Sequence, residues 1–261
     1  MKNKIFYFTI IFIFFGSLYG KGIKGSSAKT ITFLSEDSLA ITADTYIVHN
    51  LNAPMIILFH QAGWSRGEYL EIAPKLNAMG FNCIAIDQRS GDKINNVVNK
   101  THQRAVIKNK GTTYLEAYKD MKATIKFVKE NFAKGKLIVW GSSYSSALVF
   151  RLVSDFPNLV DGLLAFSPGE YFVRFGKSKS YISDFAKNIT CPVFITSAHN
   201  EKQNWISIYN SLPNSNKQSF IPKTNGNHGS RALWSKFNDS EDYWMAVNSF
   251  LKKYFLTKVT L

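Results

Sequence analysis

Two cysteines in 261 residues, Cys83 and Cys191, lie 108 positions apart (191 − 83). They are too few and too distant for a disulfide scaffold or a structural zinc site of paired C-x-x-C type, so the fold must hold by packing. Acidic residues are also scarce, and 18 Asp and Glu against 32 Lys and Arg leave a formal charge of +14. Such a charge attracts anionic polymers, membranes or substrates through its long-range field. The basic residues are scattered, however, and no RNP, zinc-finger or basic-zipper pattern accompanies them, so no nucleic-acid partner is expected. Internal repeats, low-complexity tracts and interdomain linkers are absent, as is any apolar run of the ~20 residues that a membrane-spanning helix needs. With 45% hydrophobic and 19% charged residues, wholesale disorder, a collagen-like fibre and a coiled coil are excluded. The length suits one globular domain with ample core, or two small ones.

What is present begins with a leader. Lys2 and Lys4 precede an apolar run over 5–15, and the small residues Gly16, Ser17 and Gly20 follow it, which is the layout of a secretory signal peptide over 1–20. Cleavage is expected after Gly20 or Gly22, leaving a flexible segment over 21–29 and a single domain over 30–261. No cysteine follows the run to accept a lipid, so the mature chain is expected to be secreted or periplasmic, without a stable membrane anchor, and to carry +12 after loss of Lys2 and Lys4 (14 − 2). Gly20, Gly22 and Gly25 spell G-x-G-x-x-G, but they follow the leader instead of a core strand. Ser26 and Lys29 spell S-x-x-K without the SDN and KTG partners that would give it meaning.

Beyond the leader, strand-like runs alternate with amphipathic helical segments, the mark of a mostly parallel sheet with helices on both faces. An antiparallel pair is predicted over 31–34 and 39–47, then a strand over 54–60, a helix over 68–79 closed by Gly80, and a strand over 81–87. A long polar connection over 88–110 follows. Tyr114, Tyr118, Met121, Ile125 and Val128 recur at helical spacing. Strands are predicted over 136–141, 160–168, 191–197 and 218–222, with a helix over 145–156. Ser240 is expected to cap a last helix whose Tyr243, Val247, Phe250 and Tyr254 form one stripe. That makes about eight strands. Cys83 and Cys191 open strands that this order keeps apart, so both should be free thiols.

The chemistry concentrates where the strand over 136–141 runs straight into a helix through Gly141-Ser142-Ser143-Tyr144-Ser145. A serine on such a strained, exposed turn needs small residues two before and two after it, and Gly141 and Ser145 supply them. Ser143 is the candidate nucleophile. A serine hydroxyl needs a base, and the base an orienting carboxylate. His228, in the loop Asn225-Gly-Asn-His-Gly after the last strand, is the histidine placed to be that base. Glu201, on the loop after the strand over 191–197, is the favoured acid, with Glu170 after the preceding strand as the alternative. Two N–H donors should face the developing oxyanion. Tyr144 is one; Ala62, in the loop His60-Gln61-Ala62-Gly63, is the other, with Gln61 next. His60 shapes that loop. No metal or cofactor is implied.

Together these residues resemble the α/β-hydrolase fold, and within it the small, lid-poor dienelactone-hydrolase-like and esterase members, over about residues 30 to 255. The order Ser143, Glu201, His228, the H-Q-A-G loop, and a strand ending Ala85-Ile-Asp87 with Arg89 and Gly91 beyond carry the resemblance. This chain departs from the usual pattern at Ser145 and Gln61, where glycine is common, and at Glu201, where aspartate is commoner; its nucleophile is serine where dienelactone hydrolases proper use cysteine. The resemblance implies hydrolysis of a small-molecule acyl substrate, a carboxylic ester or similar, through an acyl-enzyme. A peptidase or amidase with the same triad, or a catalytically silent binding protein, are the alternatives. Only 22 residues separate Pro168 from Cys191, so no large cap domain is expected.

Overall fold

A computed structural model describes residues 28–213 and 215–256; the expected leader and residues 21–27 of the segment after it lie outside the described residues, while Lys29, expected to end that segment, already opens the first strand by pairing with Thr45. The alternating runs form one sheet. Its strands are β1 (Lys29–Leu34), β2 (Ala40–Tyr46), β3 (Met55–Phe59), β4 (Asn82–Ile86), β7 (Leu137–Ser142), β8 (Gly162–Phe166), β9 (Val193–Thr196) and β10 (Lys217–Phe220). They lie side by side in the order β1-β2-β4-β3-β7-β8-β9-β10. β1 and β2 pair antiparallel, as do β2 and β4, and every other pair is parallel. The remaining strands, β5 (Lys93–Ile94) and β6 (Val97–Val98), make a small separate hairpin.

Parallel strands buried on both faces read as continuous apolar runs, and successive side chains go to opposite sides. In β3, Met55, Ile57 and Phe59 join one apolar cluster while Ile56 and Leu58 join the other. The first cluster is closed by α3 (Ala117–Asn131), α4 (Tyr144–Asp155), α5 (Tyr181–Ala186) and α6 (Lys202–Ser211). The second is closed by α1 (Ile72–Ala78) and α7 (Ser240–Phe255), whose Val247, Phe250 and Leu251 are fully buried. Each such side chain contributes about 1.5–3 kcal/mol on leaving water. Cys83 is a buried free thiol. Among the described residues no helix is long and apolar enough to cross a membrane.

Three local expectations are corrected. The region 88–110 is not merely a connection: it holds the β5–β6 hairpin and α2 (Lys100–Ile107), capped by the Asn99 side chain, which accepts the His102 N–H at 2.7 Å. The segment over 68–79 is not one helix, because a 3-10 turn at Arg66–Tyr69 comes first and α1 begins only at Ile72. Asp239 occupies the cap position of α7, and Ser240 is its first helical residue.

The loop after β4 is held by charge. Arg89, with no exposed surface, pairs with Asp120 of α3 at 2.7 Å and with Asp37 of the β1–β2 turn at 2.8 Å. The Arg89 guanidinium holds the Asp37 carboxyl far below the usual carboxylate range, against the opposing effect of burial. Removing one member of such a group strands a buried charge, so the pairs fix where the carboxyl ends of the strands lie.

Candidate active site

β7 ends at Ser142 and α4 begins at Tyr144, so a single residue, Ser143, makes the turn between them. Its backbone sits at φ 58°, ψ −123°. That is a conformation an L-residue adopts at a cost on the order of 1–3 kcal/mol, and the surrounding structure holds it there. Ser143 N–H donates to Phe166 O of β8 at 2.8 Å. Gly141 is required by the sharpness of the bend, since a Cβ there would lie 2.4 Å from Ser146 Cα. Ser145 fits where glycine is common because its hydroxyl is used: Oγ accepts the Ser142 N–H at 2.9 Å and lies 2.8 Å from Phe59 O, to which it can donate.

The loop after β10 brings His228 over this turn. Ser230 N–H donates to Ser142 Oγ at 2.9 Å, and a Cβ on Gly229, at φ 72°, would meet that same Oγ at 2.6 Å. Glu201 Oε1 lies 2.5 Å from His228 Nδ1. Its other oxygen, Oε2, accepts from Ser167 Oγ at 2.7 Å and from Ala198 N–H at 3.2 Å. Burial alone would raise the Glu201 pKa, but the bonds from His228 and Ser167 and the charge of His228 outweigh it and hold the carboxyl below its ordinary value. Glu170 is engaged elsewhere, accepting from Ile182 N–H, Ser183 N–H and Ser183 Oγ, each at 2.8 Å, at the start of α5. Ser143 Oγ makes no hydrogen bond among the described residues; such contacts often close only once substrate is bound.

The loop after β3 faces the turn from the other side. Gln61 O accepts from His60 Nδ1 at 2.7 Å and from Trp64 N–H at 3.3 Å. A trans peptide then points the following Ala62 N–H the opposite way, and that N–H has no acceptor among the described residues. Tyr144 N–H, first in α4, has no helical partner either. Gln61 N–H, the second choice for an oxyanion donor, is instead given to Glu68 Oε2 at 2.8 Å.

Comparison with known proteins extends this picture. Residues 52–171 match the family described as Hydrolase_4, serine aminopeptidase, S33. An esterase of Pyrococcus furiosus superposes with a TM-score of 0.69 at 19% identity, covering 88% of this chain and 93% of that one. A dienelactone hydrolase of Anabaena variabilis gives 0.68 at 10% identity, over 88% and 99%. A thermostable carboxyl esterase of Bacillus coagulans gives 0.67 at 12%, again over 88% and 99%. Among curated proteins none matches the sequence. The chain has the α/β-hydrolase fold. Its eight-stranded sheet is that of the fold, and no large cap lies between β8 and β9.

Two polar residues of the candidate site escape sequence reasoning. Ser167, at φ 56°, gives its hydroxyl proton to Glu201 and accepts the Gly229 N–H at 2.8 Å, so it joins the acid to the histidine loop. Glu68 is wholly buried beneath the site. A serine directly after a strand was a signal for the first. Nothing in the amphipathic pattern marked the second.

His60 is a third case, read as shaping its loop and now explicable. Its Nε2 accepts Gln88 N–H at 2.9 Å and faces Asn99 Nδ2 at 3.2 Å, so the proton is on Nδ1, which donates to Gln61 O. Burial pushes its pKa down from 6.5 to about 4. Between these values the unfolded chain binds a proton that the native chain refuses. The contribution of neutral His60 is therefore complete above pH 6.5 and lost as pH falls toward 4, by about 3 kcal/mol. Glu68 titrates with the opposite sign, so the useful quantity is a difference. The stability gap between wild type and His60→Asn, from denaturant melts, should narrow by about 3 kcal/mol from pH 7 to pH 4. A gap constant with pH would mean that His60 takes up its proton within the fold.

Proposed function

We propose that this chain, which has the α/β-hydrolase fold, is a serine hydrolase that cleaves a carboxylic ester, or similar acyl bond, of a small molecule through Ser143, His228 and Glu201. The observation that carries the reading is the 2.5 Å bond from His228 Nδ1 to Glu201 on a loop that packs against the strained Ser143 turn. With Nδ1 donating to the carboxylate, Nε2 keeps its lone pair and can take the Ser143 proton as Oγ attacks the acyl carbon. Ala62 and Tyr144 N–H receive the developing oxyanion, a contribution of about 3 kcal/mol per donor. The imidazolium then protonates the leaving alcohol, and water, deprotonated by the same histidine, releases the acid.

A panel of acyl esters and aminoacyl amides tests this. Short, soluble esters should be turned over, with rates rising smoothly with concentration, because the 22 residues between Pro168 and Cys191 leave no room for a large cap. A jump in rate past the solubility limit would reveal a moving lid. Cleavage of aminoacyl amides alone would favour the peptidase reading, which the serine aminopeptidase match supports.

A further inference from the structure

Among the described residues, Glu68 is the one carboxylate buried without any exposed surface beneath the site and without a side-chain cation bonded to it. Each of its oxygens has one donor. Oε1 accepts the Ser142 hydroxyl at 2.6 Å, and Oε2 accepts the Gln61 N–H at 2.8 Å. Ser142 Oγ in turn accepts Ser230 N–H at 2.9 Å. The Glu68 carbonyl accepts the Trp234 indole N–H at 2.9 Å. One side chain therefore meets the loop after β3 next to Ala62, the residue before Ser143, and, through Ser142, the loop two residues past His228. These segments are 81 and 88 positions apart in sequence (142 − 61 and 230 − 142), and the pair Glu68 and Ser142 joins all three.

Resting on the triad reading above, we propose that Glu68 is a positioning residue for the reaction: its carboxylate holds the oxyanion loop, the nucleophile turn and the histidine loop in one register. Both oxygens already face donors, so the ionised form fits the site and a proton on either would displace one of them. The groups that act on it are His228 and Arg231 on the histidine loop, both attractive, with Tyr69 on its own turn and Tyr144 of α4. Burial raises its pKa to about 7, against the hydrogen bonds of Ser142 and Gln61. A carboxylate kept at that desolvation cost, where an apolar residue would pack without it, fits a role in the chemistry.

The test is the rate of labelling by a fluorophosphonate as a function of pH, for wild type and Glu68→Gln. The amide keeps the shape but offers one acceptor where two donors wait, so labelling should slow by about 10²-fold, the effect of a small misplacement of reacting groups. With esters, kcat should fall while KM stays, since Glu68 touches loops and not substrate. The acid limb of the wild-type rate should reflect two protons, from Glu68 and the base, and that of Glu68→Gln only one. If wild type labels and Glu68→Gln labels at the same rate with the same limb, the proposal is overturned while the triad stands; if wild type itself does not label, it is the triad reading that fails. Should Glu68→Gln not fold, Ser142→Ala decides, because it cuts the link to Ser230. Slowed labelling there supports the proposal, and a wild-type rate overturns it.

Discussion

Replacing Glu201 with glutamine should lower kcat by roughly 10³ to 10⁴ with little change in melting temperature, whereas Glu170→Gln should leave kcat near wild type. Both glutamates follow neighbouring strands, and chain position favours Glu201 without excluding Glu170. Geometry does: Glu201 Oε1 is 2.5 Å from His228 Nδ1, while Glu170 spends both oxygens on the first turn of α5. A glutamine at 201 can still accept from the imidazole, but it supplies no charge to stabilise the imidazolium that forms as Ser143 gives up its proton. At 170 the loss is that of a helix cap, about 1 kcal/mol, visible as a small fall in melting temperature. Side-by-side measurement of kcat and melting temperature decides the matter. A crippled but folded Glu170→Gln beside a nearly normal Glu201→Gln would show that the acid comes from the earlier strand.

Ser143→Ala should abolish covalent labelling by an organophosphate and lower kcat by roughly 10⁶, the loss seen when an activated serine is removed. Intact mass should show one adduct per wild-type chain and none on the variant. Ser142 is the natural competitor, being adjacent, but its Oγ is buried between Glu68 and Ser230 N–H. Labelling that persists in Ser143→Ala would therefore refute the assignment. A companion variant reads the strain. Glycine tolerates φ 58° without the side-chain penalty, so Ser143→Gly should be equally inactive yet melt higher than Ser143→Ala, by an amount on the order of 1 kcal/mol. Equal melting temperatures would mean that the turn stores no strain.

The chain's own pattern determined the sheet and the strand-to-helix turn that carries the proposed nucleophile. Apolar runs near 54–60, 81–87, 136–141, 160–168 and 191–197 are legible because a strand buried on both faces must be apolar throughout; β3, β4, β8 and β9 fall within them, and β7 runs one residue past its own, to Ser142. Ser143 is legible because a strand passing directly into a helix constrains the residues two before and two after the bend, and that constraint is local. The short elements were not readable in this way. α2 depends on the Asn99 cap, and the six-residue α5 on the Glu170 carboxylate reaching back to its first turn. Helices of this length have too few internal bonds to declare themselves by periodicity. Chain position favours Glu201 over Glu170, but only the tertiary structure shows its bond to His228, and only it brings Ser167 and Glu68 to the candidate site. Each of those roles is a hydrogen bond between residues tens of positions apart, 34 from Ser167 to Glu201 and 74 from Glu68 to Ser142. Such bonds exist only once the sheet order has brought the carboxyl ends of β3, β7, β8 and β9 together, and no spacing along the chain encodes them.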